Sequence, residues 1–430
     1  VAILQLWLSL IGNALLSLFI QPFFYVALLA MLILLTYRTK LERKLFNVRL
    51  YRKLPIMLKS LAAGIVISIV ISIIAGFLGL SITKETIYLV WFIQVVLMLF
   101  KFRLLSIVYS SAIIIFLHET LLLLPEMNLP EPLQFINTMI MNVSSFSLAF
   151  IVGLLILAQS IVLRIQGKHF LSPIYIAGKR GKIVGGFTLQ AFWTVPLLLF
   201  VPVSATTNGA IVFDTSVATP FFLQLGPEAW ILMALPVMIG SSAISTTLKP
   251  DQIIKKMSSS LFIIGIVVLG LVALVWWIPQ LIWTVPVVLL LSYSVQRSII
   301  LASEANHSPI YINGEKGLKI LALVDNSTSE QLNLKIGETI RKVNGQEVNS
   351  ISELYDAIAL NPAYCKLEVV DENNEVRFVQ RTRYADEHHQ LGLILVPHQQ
   401  VPHIKSFRFP SVFGIFSPKI VERKLENTSM

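Results

Sequence analysis

Apolar runs close to the length needed to cross a bilayer recur along the first three hundred positions of this chain, and acidic residues almost never interrupt them. Of 24 Asp and Glu, only Glu42, Glu85, Glu119, Glu126, Glu131, Asp214, Glu228 and Asp251 precede residue 300. A soluble core cannot absorb that many long apolar segments, whereas a bilayer requires them. The sequence therefore predicts a polytopic membrane protein whose water-soluble part is reserved for its last third.

Basic residues divide differently. Positions 1–300 hold 20 of the 34 Lys and Arg, so the net charge of +10 sits beside the membrane segments. There it attracts anionic lipid and sets orientation, and it does not imply nucleic-acid binding. Cys365 is the only cysteine, so no intrachain disulfide and no thiolate metal cluster is expected. A reducing, cytoplasmic setting suits that usage.

Apolar runs at about 4–37 (broken at Gln21-Pro22), 60–82, 86–100, 104–124, 137–163, 187–203, 228–245, 260–278 and 281–296 predict an α-helical bundle of eight to ten spans over residues 1–300. The first segment lacks a basic n-region and a small-x-small cleavage pattern before Arg38, and is expected to be retained. Cations fill the loops 38–59, 164–182 and 249–256, while Glu126 and Glu131, then Asp214 and Glu228, mark the alternate connections. The basic loops then face the cytoplasm, as does everything after Arg297.

One decapeptide is echoed. Ser172-Pro173-Ile174-Tyr175-Ile176-Ala177-Gly178-Lys179-Arg180-Gly181 returns as Ser308-Pro309-Ile310-Tyr311-Ile312-Asn313-Gly314-Glu315-Lys316-Gly317. A duplicated half-bundle and a recurrent juxtamembrane Ser-Pro/Gly turn both account for it. Its failure to extend into the flanking helices favours the turn.

From Tyr311 the pattern changes to short alternating strands at 318–324, 339–343, 365–370 and 375–379. Asn344-Gly345 and Asp371-Glu372-Asn373-Asn374 supply turns, and Ser352 is expected to cap a helix whose Ile351, Leu354 and Ile358 share a face. These residues resemble a bacterial-type PDZ domain over about 311–383, chiefly in Gly317-Leu318-Lys319-Ile320 and in Leu334-Lys335-Ile336-Gly337-Glu338 leading to Val343-Asn344-Gly345. Thr328, Asn333 and Ile336 depart from the usual pattern, but Asn tolerates left-handed backbone nearly as Gly does. The resemblance implies a small α+β domain, expected over 308–395 and cytoplasmic by the charge alternation; Pro397, Pro402, Pro410 and Pro418 among aromatics predict a mobile tail at 396–430. Successive amides at Gly317, Leu318 and Lys319 are expected to hold a peptide carboxylate, and the edge of 319–323 to pair with the peptide. Leu318, Ile320, Leu354 and Ile358 are expected to form the side-chain pocket.

Catalytic patterns are absent where such a chain would carry them. His118-Glu119 is followed by Thr120-Leu121-Leu122, so a His-Glu-x-x-His metal site lacks its second ligand. No segment is long enough for a soluble Ser-His-Asp domain. Gly240-Ser241-Ser242 reads as a small-residue helix contact, His388-His389 as solvated surface, and Pro196, Pro202, Pro236 and Pro286 as helix kinks. No enzyme activity, cofactor or metal is expected.

Three further stretches, Tyr364-Cys365-Lys366-Leu367-Glu368-Val369, Arg377-Phe378-Val379-Gln380-Arg381 and Glu387-His388-His389-Gln390-Leu391-Gly392, complete a pattern with the Ser-Pro-x-Tyr segments and the polytopic part. In this arrangement the chain resembles the MinJ-like family of the Gram-positive Min cell-division system. The resemblance implies a non-enzymatic plasma-membrane scaffold at septa and poles, bridging the polar protein DivIVA to MinD and so positioning MinC. A PDZ-bearing regulator of proteolysis or signalling, and a transporter with a regulatory domain, are the alternatives. Thr428-Ser429-Met430 adds an expectation that the C-terminus docks in the groove of its own or another copy.

Overall fold

The computed structural model describes residues 2–124, 130–178, 182–203, 211–212, 229–314, 316–324, 327–361, 364–371, 373–382, 391–397, 401–404 and 420–421. Helices α1 (Ala2–Ile20), α2 (Pro22–Phe46), α3 (Lys53–Phe77), α4 (Lys84–Phe100), α5 (Ile107–Leu123), α6 (Glu131–Met141) and α7 (Ser145–Gln166) come first. Strands β1 (Leu171–Ala177), β2 (Ile183–Val203), β3 (Ile211–Val212) and β4 (Ala229–Ser245) follow, then α8 (Pro250–Val275) and α9 (Thr284–Asn306). Gln21-Pro22 breaks the first apolar segment as expected, with Pro22 opening α2.

Among the described residues, five helices are long and apolar enough to cross a membrane: Pro22–Phe46, Lys53–Phe77, Ser145–Phe170, Pro250–Val275 and Pro279–Asn306. Ile107–Leu123 is apolar but shorter. The expectation of eight to ten helical spans is corrected at two places. Residues 187–203 and 229–245 form no helices; β2 and β4 pair antiparallel from Phe187↔Ser245 to Val203↔Ala229. A short apolar run does not distinguish a buried strand from a buried helix by periodicity. Proline does distinguish them here. Pro196 or Pro202 inside a helix would cost about 3 kcal/mol each. In the hairpin, Pro196 lies opposite Pro236. The carbonyls of Phe192, Pro196 and Phe200 and the amide of Leu198 all point away from β4. By strand alternation the nitrogens of Pro196, Pro202 and Pro236 also face outward, where no ladder bond is lost. Gly240-Ser241-Ser242 is accordingly a strand contact rather than a helix contact: a Cβ at Gly240 would come within 2.1 Å of the Phe192 ring, and Gln159 donates to Ser241 Oγ at 2.7 Å.

The hairpin lies inside the bundle. Trp193, Val195, Leu197, Val237, Met238 and Ile239 have no exposed surface. Its outward backbone groups cannot reach water, so helices must satisfy them. One edge of β2 is paired with β1 from Ile183 to Leu189. Beyond that point α3 takes over the edge. Ser60 donates to Phe192 O at 2.9 Å, Ser68 to Pro196 O, and Ser72 accepts from Leu198 N at 2.9 Å. Gly64 fills the step between, so close that a Cβ there would lie 1.9 Å from Thr194 O. A four-residue helical step of about 6.0 Å nearly matches a two-residue strand step of about 6.7 Å, which lets one helix face follow the strand. Ile82 N then donates to Phe200 O at 3.3 Å, and on the other strand Trp91 Nε1 donates to Pro236 O at 3.2 Å.

At the basic end of the bundle, Arg38 and Glu42 of α2 form a buried pair at 3.1 Å. Arg38 also donates to the carbonyls of His169 and Leu171 at 2.7 Å each, and its guanidinium lies 4.5 Å from the Tyr51 ring centroid. Glu42 accepts from Ser172 Oγ at 3.1 Å and Leu50 N at 3.2 Å. The pair thus ties α2 to the start of β1.

A second, sheet-rich region follows: β5 (Leu318–Leu323), α10 (Thr328–Gln331), β6 (Thr339–Val343), β7 (Gln346–Glu347), α11 (Ile351–Ala359), β8 (Tyr364–Val370), β9 (Val376–Thr382) and β10 (Leu393–Leu395). The strand order is β10-β5-β6-β8-β9, with β7 on β6. Asn344-Gly345 turns β6 into β7 with φ of 50° and 89°, and Asn333 adopts φ 51°. The cap of α11 is Ser350, whose Oγ accepts from Glu353 N at 3.2 Å, rather than the expected Ser352. Ile351 is exposed, and Ala357 takes its place on the buried face with Leu354 and Ile358.

The two regions share packing. Leu321, Ala322, Ile394 and Val396 belong to the apolar cluster of the bundle. Tyr175 donates to Leu395 O at 2.6 Å, and Asn313 to Val396 O. The two copies of the decapeptide meet on opposite edges of β2: Tyr175 pairs with Gly185 from β1, and Gly185 N donates to Tyr311 O at 2.9 Å. Of the tail, β11 (His403–Ile404) joins β1 in parallel and β12 (Ile420–Val421) joins β11. The proposed docking of Thr428-Ser429-Met430 lies outside the described residues, as do Asp214, Glu228 and His388-His389.

Two outcomes follow from these contacts. Gly64→Ala should lower the unfolding midpoint of the detergent-solubilised chain by several degrees, whereas Gly270→Ala, with no atom near its added Cβ, should not. Equal shifts would show that α3 does not depend on its approach to β2. Tyr175→Phe should cost about 1 kcal/mol and speed hydrogen exchange in 391–397; unchanged exchange there would remove the seam bond from the account.

Candidate functional site

Of the six residues expected to form a peptide groove, the four apolar ones are brought together as a filled core. Leu318, Ile320, Leu354 and Ile358 pack in one cluster with Leu332, Ile340, Leu391 and Leu395, and none is more than 5% exposed. The amides expected to hold a carboxylate have partners. Gly317, at φ 84°, donates to Asn349 Oδ1 at 2.8 Å, and Lys319 N donates to Asn313 Oδ1 at 3.3 Å. Leu318 pairs with Ile340 of β6. The other edge of 319–323, expected to receive a peptide, is covered by β10 through Leu393↔Leu323, Ile394↔Ala322 and Leu395↔Ile320.

The sheet therefore ends at β10 on this side and at β9 on the other. Val324 N donates to Gly392 O and Val396 N to Lys319 O, both at 2.9 Å, so Gly392 faces β5 and Leu393 faces away from it. Among the described residues no strand pairs with that outer edge, and Tyr175 occupies only the Leu395 carbonyl. Burial raises the Tyr175 phenol well above its ordinary range, which keeps it a donor. Gly392 adopts φ 73°, and a Cβ there would come within 2.3 Å of Ser327 Cβ. The signal for this edge was the short run Leu391-Gly392-Leu393-Ile394-Leu395, a glycine turn leading into a short continuous apolar run.

Elsewhere, one polar cluster has the residue types of a hydrolase. Ser145 Oγ lies 2.9 Å and Glu119 Oε1 3.1 Å from His118. Both contact the same ring nitrogen, Nδ1, whereas a relay needs the acid on one nitrogen and the nucleophile on the other. The cluster ties the start of α7 to α5. Among the described residues no group of three His, Cys, Asp or Glu side chains could hold a metal ion.

No family model matches the sequence, and no solved structure matches it. Curated proteins do. The chain is 29% identical over 383 residues to the cell division topological determinant MinJ of Bacillus subtilis (strain 168), covering 88% of this chain and 93% of that protein. It is 26% identical over 257 residues to the probable cell division topological determinants MinJ of Lacticaseibacillus paracasei and Lacticaseibacillus casei (strain BD-II), covering 59% of this chain and 66% of each. This similarity, along nearly the whole of both chains in the Bacillus subtilis case, supports a MinJ-like protein.

Proposed function

We propose that the chain is a multi-pass membrane scaffold for placing the division site, with its basic end and C-terminal sheet in the cytoplasm. The observation that carries this reading is the similarity to a cell division topological determinant along nearly the whole of both chains. The scaffold bridges a DivIVA-like polar protein to MinD, and so keeps the MinC inhibitor near poles and septa. It works by contact rather than catalysis.

The C-terminal sheet with α11 serves as a PDZ-like module. Its ligand strand adds to the outer edge of β10, which replaces the 319–323 edge as the peptide-accepting surface. Main-chain bonds from Leu393 supply affinity, and neighbouring side chains supply selectivity. The apolar residues Leu318, Ile320, Leu354 and Ile358 support that edge from beneath.

A fluorescent fusion of the full chain should gather at septa and poles and disperse when DivIVA is absent. Uniform membrane signal together with normal division in a deletion strain would sink the scaffold reading. Leu393→Pro removes an outward N–H while sparing the bonds of Val324 and Val396 to their partners. Because Leu393 also packs against the core of the sheet, the comparison is with Leu393→Ala, which loses that packing but keeps the N–H; binding of the full chain to its module-dependent partner should be roughly tenfold weaker for the Pro variant than for the Ala variant. Undiminished binding to both DivIVA and MinD would rule out the β10 edge.

A further inference from the structure

We infer that the basic end of the bundle holds one anionic phospholipid headgroup in a built cavity between the membrane helices and the C-terminal sheet. The cavity has a volume of about 640 Å³ and is lined by Arg49, Arg52, Lys59 and His169, with Val324 closing it from the end of β5. Its described lining contains no carboxylate. Lys59 Nζ lies 3.0 Å from His169 Nε2, so two nitrogen groups converge there. Arg49 is oriented by its Nε, which donates to Tyr51 O at 2.8 Å, and Tyr51 is in turn covered by the Arg38 guanidinium. A cavity with three cations and no lining acid is suited to a phosphodiester.

Position and size favour a lipid over a free ion. The cavity surrounds the first turn of α3, whose Lys53–Phe77 segment is long and apolar enough to cross a membrane, so it lies at headgroup depth. Its volume falls in the range of about 300–1,000 Å³ that encloses a small organic ligand, far more than one phosphate needs. Leu50 and Ile56 add apolar wall for the glycerol backbone. A headgroup seated there touches both regions of the chain, because Val324 also donates its amide to Gly392 at the start of β10. Anionic lipid would thereby steady the strand whose outer edge is open, a consequence independent of which partner uses that edge.

The test uses the full chain in mixed micelles, with lipid retention read by native mass spectrometry and stability by thermal unfolding. Phosphatidylglycerol should be retained at least about tenfold over phosphatidylcholine, and it alone should raise the unfolding midpoint. Arg52→Gln with Lys59→Gln should reduce that retention about tenfold or more, while Lys255→Gln, an exposed cation on α8, should leave it unchanged. Val324→Trp fills the cavity without altering charge and should reduce retention equally. Should the double variant fail to fold, Arg52→Glu, altering one exposed side chain, provides the same reading. Equal retention of the two lipids, equal loss in Lys255→Gln, or full retention in Val324→Trp would overturn the site. Inorganic phosphate that stabilises the chain as much as phosphatidylglycerol does would overturn the lipid assignment.

Discussion

A β-hairpin enclosed by apolar helices can persist only if its outward carbonyls and amides find partners inside the protein, and the arrangement of this bundle follows from that requirement. The face Ser60, Gly64, Ser68 and Ser72 is what permits α3 to lie against β2, because small hydroxyl-bearing residues both approach closely and bond the strand. With α3 fixed there, β1 is left the basal third of the same edge. The Arg38–Glu42 pair then holds α2 to β1 at the level where the apolar environment ends. Helix packing and strand pairing are thus one system.

What could be read in advance follows the same physics. The turns at Asn333 and Asn344-Gly345 were legible because left-handed backbone restricts residue choice locally. The helix α11 was legible from its spacing, with its cap misplaced by two residues, since Ser350 and Ser352 both precede Leu354 and only geometry separates them. The hairpin was not legible as such. Its residues are apolar on both faces because both faces are buried, which erases the two-residue alternation of a half-exposed strand. The sequence clue was that Pro196 and Pro202, within one apolar run, occupy positions of one parity.

The groove shows the complementary difficulty. Gly317, Leu318, Lys319 and Ile320 have the local sequence form of an anion-binding turn and an edge strand, and in the structure Gly317, at φ 84°, leads into β5. Whether an edge is open depends on a distant segment. Here Leu393, Ile394 and Leu395 return from some seventy residues away to cover it, and no local pattern announces such a pairing. The same applies to Tyr175 and Tyr311, whose shared decapeptide could be seen but whose convergence on Gly185 could not.

That convergence fixes how the C-terminal sheet sits on the bundle. Because Tyr311 is bonded to β2 and Tyr175 to β10, the sheet is seated on the bundle instead of swinging from a tether. A tethered module would sample many heights and angles and surrender that freedom on every encounter. A seated one has given it up already during folding. Under the proposed scaffold role, a partner approaching along the membrane surface would meet an edge of set height and azimuth, so the geometry of the encounter would shift from chance toward registry.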